Sequence, residues 1–224
     1  AFNNTLDGAH TLAVNTGGKT FFGGSVGGTA PLSSLTTDAP GSTTLATTTV
    51  NTSSGQSYND PVTLASNTTL ASTGGGNIAF GSTVDGSYGL TTTTAGTTTF
   101  TGVVGGTAPV TTVSVTAGSP VTMQVNATVS TSVNTSSANG NVTLTSTSGN
   151  LPVGVINAGS GTVSLGAQGS ITDANGVTTN ILSPALSVTA GTGVGTASDP
   201  LETQGGLALA GTTQTGGINI ISAG

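Results

Sequence analysis

Apolar residues along this chain recur with a period of two. In "TLAVNT", "NVTLTSTS", "GTVSLGA", "PALSVTAG" and "GINIIS", apolar and small polar residues alternate, as expected of a strand that buries one face. Many of the apolar residues are β-branched, which suits a pleated surface. Each segment is short and is closed by Gly, Asn, Asp or Pro, the residues that turn a chain. No stretch places apolar residues at i, i+3, i+4 and i+7, so the pattern predicts an all-β chain with little or no helix.

Spacing then selects the architecture. Val142-Thr-Leu144, Val163-Ser-Leu165, Leu186-Ser-Val188 and Leu207-Ala-Leu209 follow one another at steps of 21, 23 and 21 residues. Such a period marks a stacked repeat. It is too short for a propeller blade and lacks the helix of a leucine-rich repeat, which leaves a parallel β-helix of roughly 20 residues per coil. With coils ~4.8 Å apart, 224 residues give roughly ten or eleven coils and a rod on the order of 50 Å long. Inward positions are expected to take Val, Leu, Ile, Ala and an occasional Phe, and outward positions Thr and Ser.

A longer repeat overlies the short one. "VGGTAP" occurs at Val26 to Pro31 and again at Val104 to Pro109, and residues 1–31 align with 79–109 without a gap at 17 identities. The offset of 78 residues is about four coils, dividing a single 1–224 segment into approximate units 1–78 and 79–156, with more regular coils over 140–224. Phe22, Phe80 and Phe100 are candidate core aromatics, and Phe2, Phe21, Tyr58 and Tyr88 are read as core fillers or coil-end packing. Asp7-Gly8 and Asp85-Gly86 are read as turns in which Asp bonds local backbone and Gly takes positive φ. Gly27, Gly28, Gly105 and Gly106 are read as corner glycines.

Composition narrows the function. Charged residues make up 4% of the chain and the net charge is −6, with Lys19 the one basic residue besides His10; soluble domains average about 25% charged. Nucleic acid, neutralised mainly by Lys and Arg, is an implausible partner, and so is an anionic lipid surface. The absence of Cys removes disulfide and thiolate chemistry. No apolar run approaches the roughly 18 residues of a membrane span, so membrane insertion by this segment is not expected. The regular alternation argues against a disordered Gly/Ser/Thr-rich stalk.

The phrases "TFFGGSVGGTAPLSSLTTDAPGSTTL", "GQSYNDPVTLASNTTLAS", "GSITDANGVTTN" and "GTGVGTASDPLETQ" resemble the repeats of very large bacterial surface and secreted proteins related to filamentous haemagglutinin. The resemblance runs from Phe2 to about Ile221. It implies a right-handed parallel β-helix serving as an extracellular shaft in adhesion or in a surface filament, with a host or neighbouring-cell ligand as a possible partner. The family's secretion domain has no counterpart here, and its shaft repeats bring no catalytic set, cofactor or metal.

Because β-helices also host polysaccharide-cleaving enzymes, the acids matter. They are Asp7, Asp38, Asp60, Asp85, Asp173, Asp199 and Glu202, and a glycosidase needs two carboxylates about 5–10 Å apart in one cleft. Only Asp199 and Glu202 are close in sequence, and "SDPLET" reads as a turn followed by a strand. Lys19 and His10 align with Thr97 and Tyr88 in the second copy, so neither belongs to a repeated device. Calcium ligation by Asp7 and Asp85 is the weaker reading beside their turn role, since the nonapeptide calcium repeat is missing. Gly27-Gly28 is not followed by the Lys-Ser/Thr of a phosphate loop. The Thr runs at Thr91–Thr94 and Thr97–Thr99 fall too unevenly for an ice-binding array. The Asn-X-Ser/Thr triplets at Asn3, Asn51, Asn67, Asn126, Asn134 and Asn141 arise readily in Thr-rich text, although stacked Asn could form ladders between coils.

Neither terminus reads as a polar cap: "AFNNTLDG" matches the interior "AFGSTVDG", and "GGINIISAG" is an apolar strand. Both edges are therefore expected to pair with further β-helix coils, from the same chain or a neighbour. With so few charges, stacked apolar strips and backbone hydrogen bonds must carry the stability. Raising NaCl to ~1 M, where the Debye length is about 3 Å, should leave the melting temperature nearly unchanged; a large salt-dependent loss would contradict this basis for the fold.

Overall fold

In a computed structural model, which describes residues 1–204 and 206–223 except for the side chains of Thr128, Val129 and Ala223, the chain winds as a parallel β-solenoid. It has about ten turns of about 22 residues, slightly longer than the 20-residue coil expected. No helix occurs among the described residues. Each turn of the first five coils visits three faces in order. The first holds Thr11–Val14, Ser34–Thr37, Gln56–Tyr58, Ile78–Phe80 and Thr98–Phe100. The second holds Lys19–Phe22, Ser42–Leu45, Val62–Leu64 and Val84–Asp85. The third begins at Thr49–Thr52 and continues through Thr68–Ser72 and Leu90–Thr94 toward Ile220–Ala223. Beyond Thr98–Phe100 the first face is continued by Val121–Gln124, Val142–Ser146, Thr162–Ala167, Ala185–Ala190 and Ala208–Thr213.

The apolar residues of successive coils meet in columns. Val50, Leu70, Thr92, Val115, Val133 and Ile156 are in register along the third face. Val142, Val163 and Leu186 form another column, and Leu144, Leu165 and Val188 a third. In both, the steps match the spacing read from the sequence. The next step does not: Leu186 pairs with Leu209 instead of Leu207. A slip of two residues keeps every side chain on its own face, so alternation alone cannot separate the two registers.

Aromatic rings stack along the axis. Phe2 lies on Phe22 with centroids 5.2 Å apart, and Tyr58, Phe80 and Phe100 form a column at 5.3 and 5.0 Å. Phe22, Phe80 and Tyr58 are buried, and Phe100 and Phe2 are partly buried against the same core. The Tyr58 hydroxyl donates to Gln56 Oε1 at 3.0 Å, while Gln56 Nε2 donates to the carbonyls of Val50 and Ala71. Phe21 and Tyr88 depart from the expected core packing. Phe21 follows the opposite parity to its neighbour Phe22 and lies half-exposed beneath Lys19. Tyr88 stands on the turn before Leu90–Thr94, 42% exposed.

The long repeat is not four coils. Phe22, Leu45, Leu64 and the strand Val84–Asp85 climb the second face in three steps, after which Leu90–Thr94 and Thr98–Phe100 add two faces. Phe100 therefore sits on a different face from Phe22. What the copies share is local: Phe2 bridges Phe22 and Leu6 bridges Val26, while Phe80 pairs with Phe100 and Val84 bridges Val104.

The "VGG" corners explain why this word recurs. Gly27 and Gly105 have φ of 65° and 76°, and a Cβ at either would run into the carbonyl oxygen of Asn51 or Asn126 in the next coil. Those asparagines close the corner: Asn51 N–H donates to Val26 O and Asn126 N–H to Val104 O, each at 2.8 Å. A third copy, hidden in "VGTASDP", repeats this at Val194-Gly195, with φ of 54° at Gly195 and Asn219 N–H donating to Val194 O at 2.7 Å. Gly28 and Gly106 are exposed and free of this clash. Gly105→Ala should therefore cost about 2–4 kcal/mol in urea unfolding, through φ strain and the displaced carbonyl, whereas Gly106→Ala should cost less than about 1 kcal/mol. Equal losses would show that the corner does not depend on Gly105.

Candidate functional site

Six of the seven carboxylates fall into three kinds of setting along the solenoid; the seventh, Asp38, is half-buried with its Oδ1 lacking a partner. Asp7 and Asp85 hold neighbouring coils together. Asp7 Oδ1 accepts the N–H groups of Thr29 and Ala30 at 2.9 and 3.1 Å, and Asp85 Oδ1 those of Thr107 and Ala108 at 2.7 and 3.1 Å. The bonds thus reach one coil onward instead of closing a local turn. Gly8 and Gly86 take the expected positive φ, 122° and 127°, and donate N–H to the carbonyls of Ala30 and Ala108. Isolated Asp-Gly reads as a turn; that its acceptor serves the next coil is a property of stacking.

Asp60 is buried at the corner between the first two faces. Its Oδ1 accepts the hydroxyls of Thr37 and Thr43, both at 2.9 Å, and its Oδ2 lies 3.1 Å from Thr43 Oγ1. Each of these three residues is at most 1% exposed. Sequence reasoning gave Asp60 no partners because Thr37 and Thr43 lie 23 and 17 residues away.

The third setting gathers Asp173 and Glu202. Leu151–Asn157 serves two partners: Leu151 to Val153 pair with Ser170–Asp173, and Ile156 and Asn157 pair with Ile181–Leu182. Between those partners the chain leaves the sheet as a loop over residues 174–180, with Val177 97% exposed. Asn180, fully buried, anchors it. Its Nδ2 donates to Asp173 Oδ1 at 2.6 Å and Asn175 Oδ1 at 2.7 Å, and also to the carbonyls of Val153 and Gly154. Its Oδ1 accepts Glu202 N–H at 2.7 Å. Glu202, 7% exposed, has its carboxyl pKa pushed up by burial and then by the neighbouring charge of Asp173, with Asp199 contributing less. Asp199, the acid nearest to Glu202 in the sequence, thus acts on it less than Asp173 does. Among the described residues no three carboxylate or imidazole side chains converge.

Two shallow depressions lie over the first face. One, of about 510 Å³, is bordered by Thr145, Gly166, Gln168, Thr189 and Gln214; another, of about 370 Å³, by Val163, Ser164, Leu186 and Leu209. Neither includes a carboxylate. Lys19 and His10 are exposed on the first coil. The Thr runs are more ordered than their spacing suggested: Thr49, Thr69, Thr91, Ser114 and Ser132 form one outward column, with Asn51, Ala71, Thr93, Thr116 and Asn134 beside it. Only in Leu90–Thr94 does Thr occupy both columns. Asparagine side chains also link coils: Asn67, Asn77, Asn141 and Asn150 each accept an N–H from the coil above.

No family model matches the chain, and comparison with curated proteins and with solved structures finds no match.

Truncating Asp60 would strand two buried hydroxyls. Asp60→Ala should cost about 2–5 kcal/mol in urea unfolding, whereas Asp85→Ala, which frees the exposed N–H of Thr107 and the part-buried N–H of Ala108, should cost about 1 kcal/mol. The reverse order would place the larger burden on the exposed bracket.

Proposed function

We propose that this chain is a shaft segment of an extracellular bacterial adhesin, a rod that sets the distance between a cell surface and the ligand that the adhesin grips. The observation carrying this reading is the in-register parallel ladder running from the Phe2–Phe22 bridge to Ile220–Ala223. It is a single elongated body whose outward columns are short and polar. The resemblance of its phrases to filamentous haemagglutinin-related repeats points the same way. Ligand contact then lies in other parts of the adhesin, and further β-coils stack on both ends of the rod. The last coil supports this, because Leu209, Ile218 and Ile221 are 49%, 38% and 49% exposed, apolar surface that another coil would cover.

The same exposed edge favours a second reading, a head-to-tail filament subunit, since a heterologous contact without ring closure propagates. Immunolabelling of intact producer cells tests the first reading: antibody against the segment should bind without permeabilisation and decorate extended fibres in electron micrographs. Label appearing only after permeabilisation would overturn it. Sedimentation separates the two readings, with concentration-dependent polymers from the purified segment expected only of the filament.

A further inference from the structure

Beneath the 174–180 loop two buried carboxylate oxygens without a partner fall together; among the described residues the one other such carboxylate oxygen is Asp38 Oδ1, far along the chain. Asp173 and Glu202 lie on adjacent coils joined through the Asn180 amide, which donates to Asp173 Oδ1 and accepts the backbone N–H of Glu202. Each also has an oxygen that neither water nor any donor reaches: Asp173 Oδ2 and Glu202 Oε2 are buried without a partner. Asp60 is equally buried, but both of its oxygens take hydroxyls. No cationic side chain can serve the pair, because Lys19, the one Lys or Arg of the chain, lies on the first coil.

An unpaired buried carboxylate is costly, and two together more so. The deficit can be met by a proton on one carboxyl or by a cation between them. The donor set favours the cation. All the available ligands are oxygens, two of them charged, with no imidazole or thiolate, which selects hard ions such as calcium over zinc or copper. Asn175 points its oxygen at Asn180 and leaves Nδ2 without a partner; that buried donor is the complement of a water oxygen, and calcium commonly retains water in its shell.

We infer that Asp173 and Glu202 form a calcium site closed by the 174–180 loop, pinning that loop to the third face of the solenoid. With two charged ligands, the affinity falls in the range of extracellular modules, about 10⁻⁴–10⁻³ M. The inference stands on the unpartnered buried oxygens of the two carboxylates and their common anchor Asn180, and is independent of the adhesin reading.

Thermal melting of the 224-residue chain, followed by circular dichroism in EDTA and then with calcium chloride at constant ionic strength, tests it. The melting temperature should rise saturably, by about 3–6 °C at tenfold excess over the dissociation constant, and isothermal calorimetry should give one site. Glu202→Gln and Asp173→Asn should each abolish the calcium shift while melting in EDTA no lower than wild type, because each removes an uncompensated charge. Asp85→Asn should keep the shift. The site is overturned by a wild type that calcium does not stabilise, or by a shift that persists in both carboxylate variants, since that would be general screening of the −6 net charge. If one variant fails to fold, the other and the calorimetric stoichiometry still decide.

Discussion

Stacking in register is the constraint on which everything else in this molecule depends. A coil of about 22 residues cannot enclose a core by itself; its apolar side chains are buried only when the coils above and below present the same cross-section. The backbone imposes the same condition, because each strand's N–H and C=O groups point along the axis toward the neighbouring coils. Like therefore lies on like: Phe80 on Phe100, Val163 on Leu186, Val104 on Val125. Where the outline turns a corner, the close approach of successive coils admits only glycine, as at Gly27, Gly105 and Gly195.

The same constraint determines what the sequence reveals and what it hides. Alternation, short segments and a period of about 20 residues express one coil's cross-section, so they were visible in the text and led to the parallel solenoid. Register was only partly visible, because pairing Leu186 with Leu207 or with Leu209 satisfies the alternation equally. Threonine was the least legible residue. In runs such as Thr91–Thr94 it occupies inward and outward positions alike, and Thr92 is fully buried between Leu70 and Val115. A methyl and a hydroxyl on one β-branched carbon allow either face, and only the neighbouring coils decide.

Polar side chains show a second blind spot. Reading along the chain assigns Asp and Asn to local turns, yet here they mostly serve the next coil, about 20 residues away. Asp7, Asp85, Asn67 and Asn141 accept backbone N–H groups from that coil. Asn180, never singled out from the sequence, organises the loop over residues 174–180. The third "VG" corner is hidden in the sequence because its connecting loop is one residue longer, "TASD" in place of "GTA", while the geometry depends on only one glycine and one asparagine.

A chain with so few charges can leave very few of them unaccounted for. Two of the seven acids bracket exposed corners, and Asp60 is satisfied by hydroxyls without any cation. All three stand at corners where the strand ladder is interrupted: Asp7 and Asp85 accept backbone N–H groups that the ladder leaves free, and Asp60 accepts hydroxyls. Asp173 and Glu202 flank another such interruption, where residues 174–180 leave the sheet and the regular ladder does not supply donors for both carboxylates. Uniform stacking thus confines chemical individuality to its breaks. The long faces are chemically monotonous and can be extended coil by coil without changing the cross-section, whereas a loop that leaves them must bring its own polar anchors, as Asn180 does, or bind something that completes them.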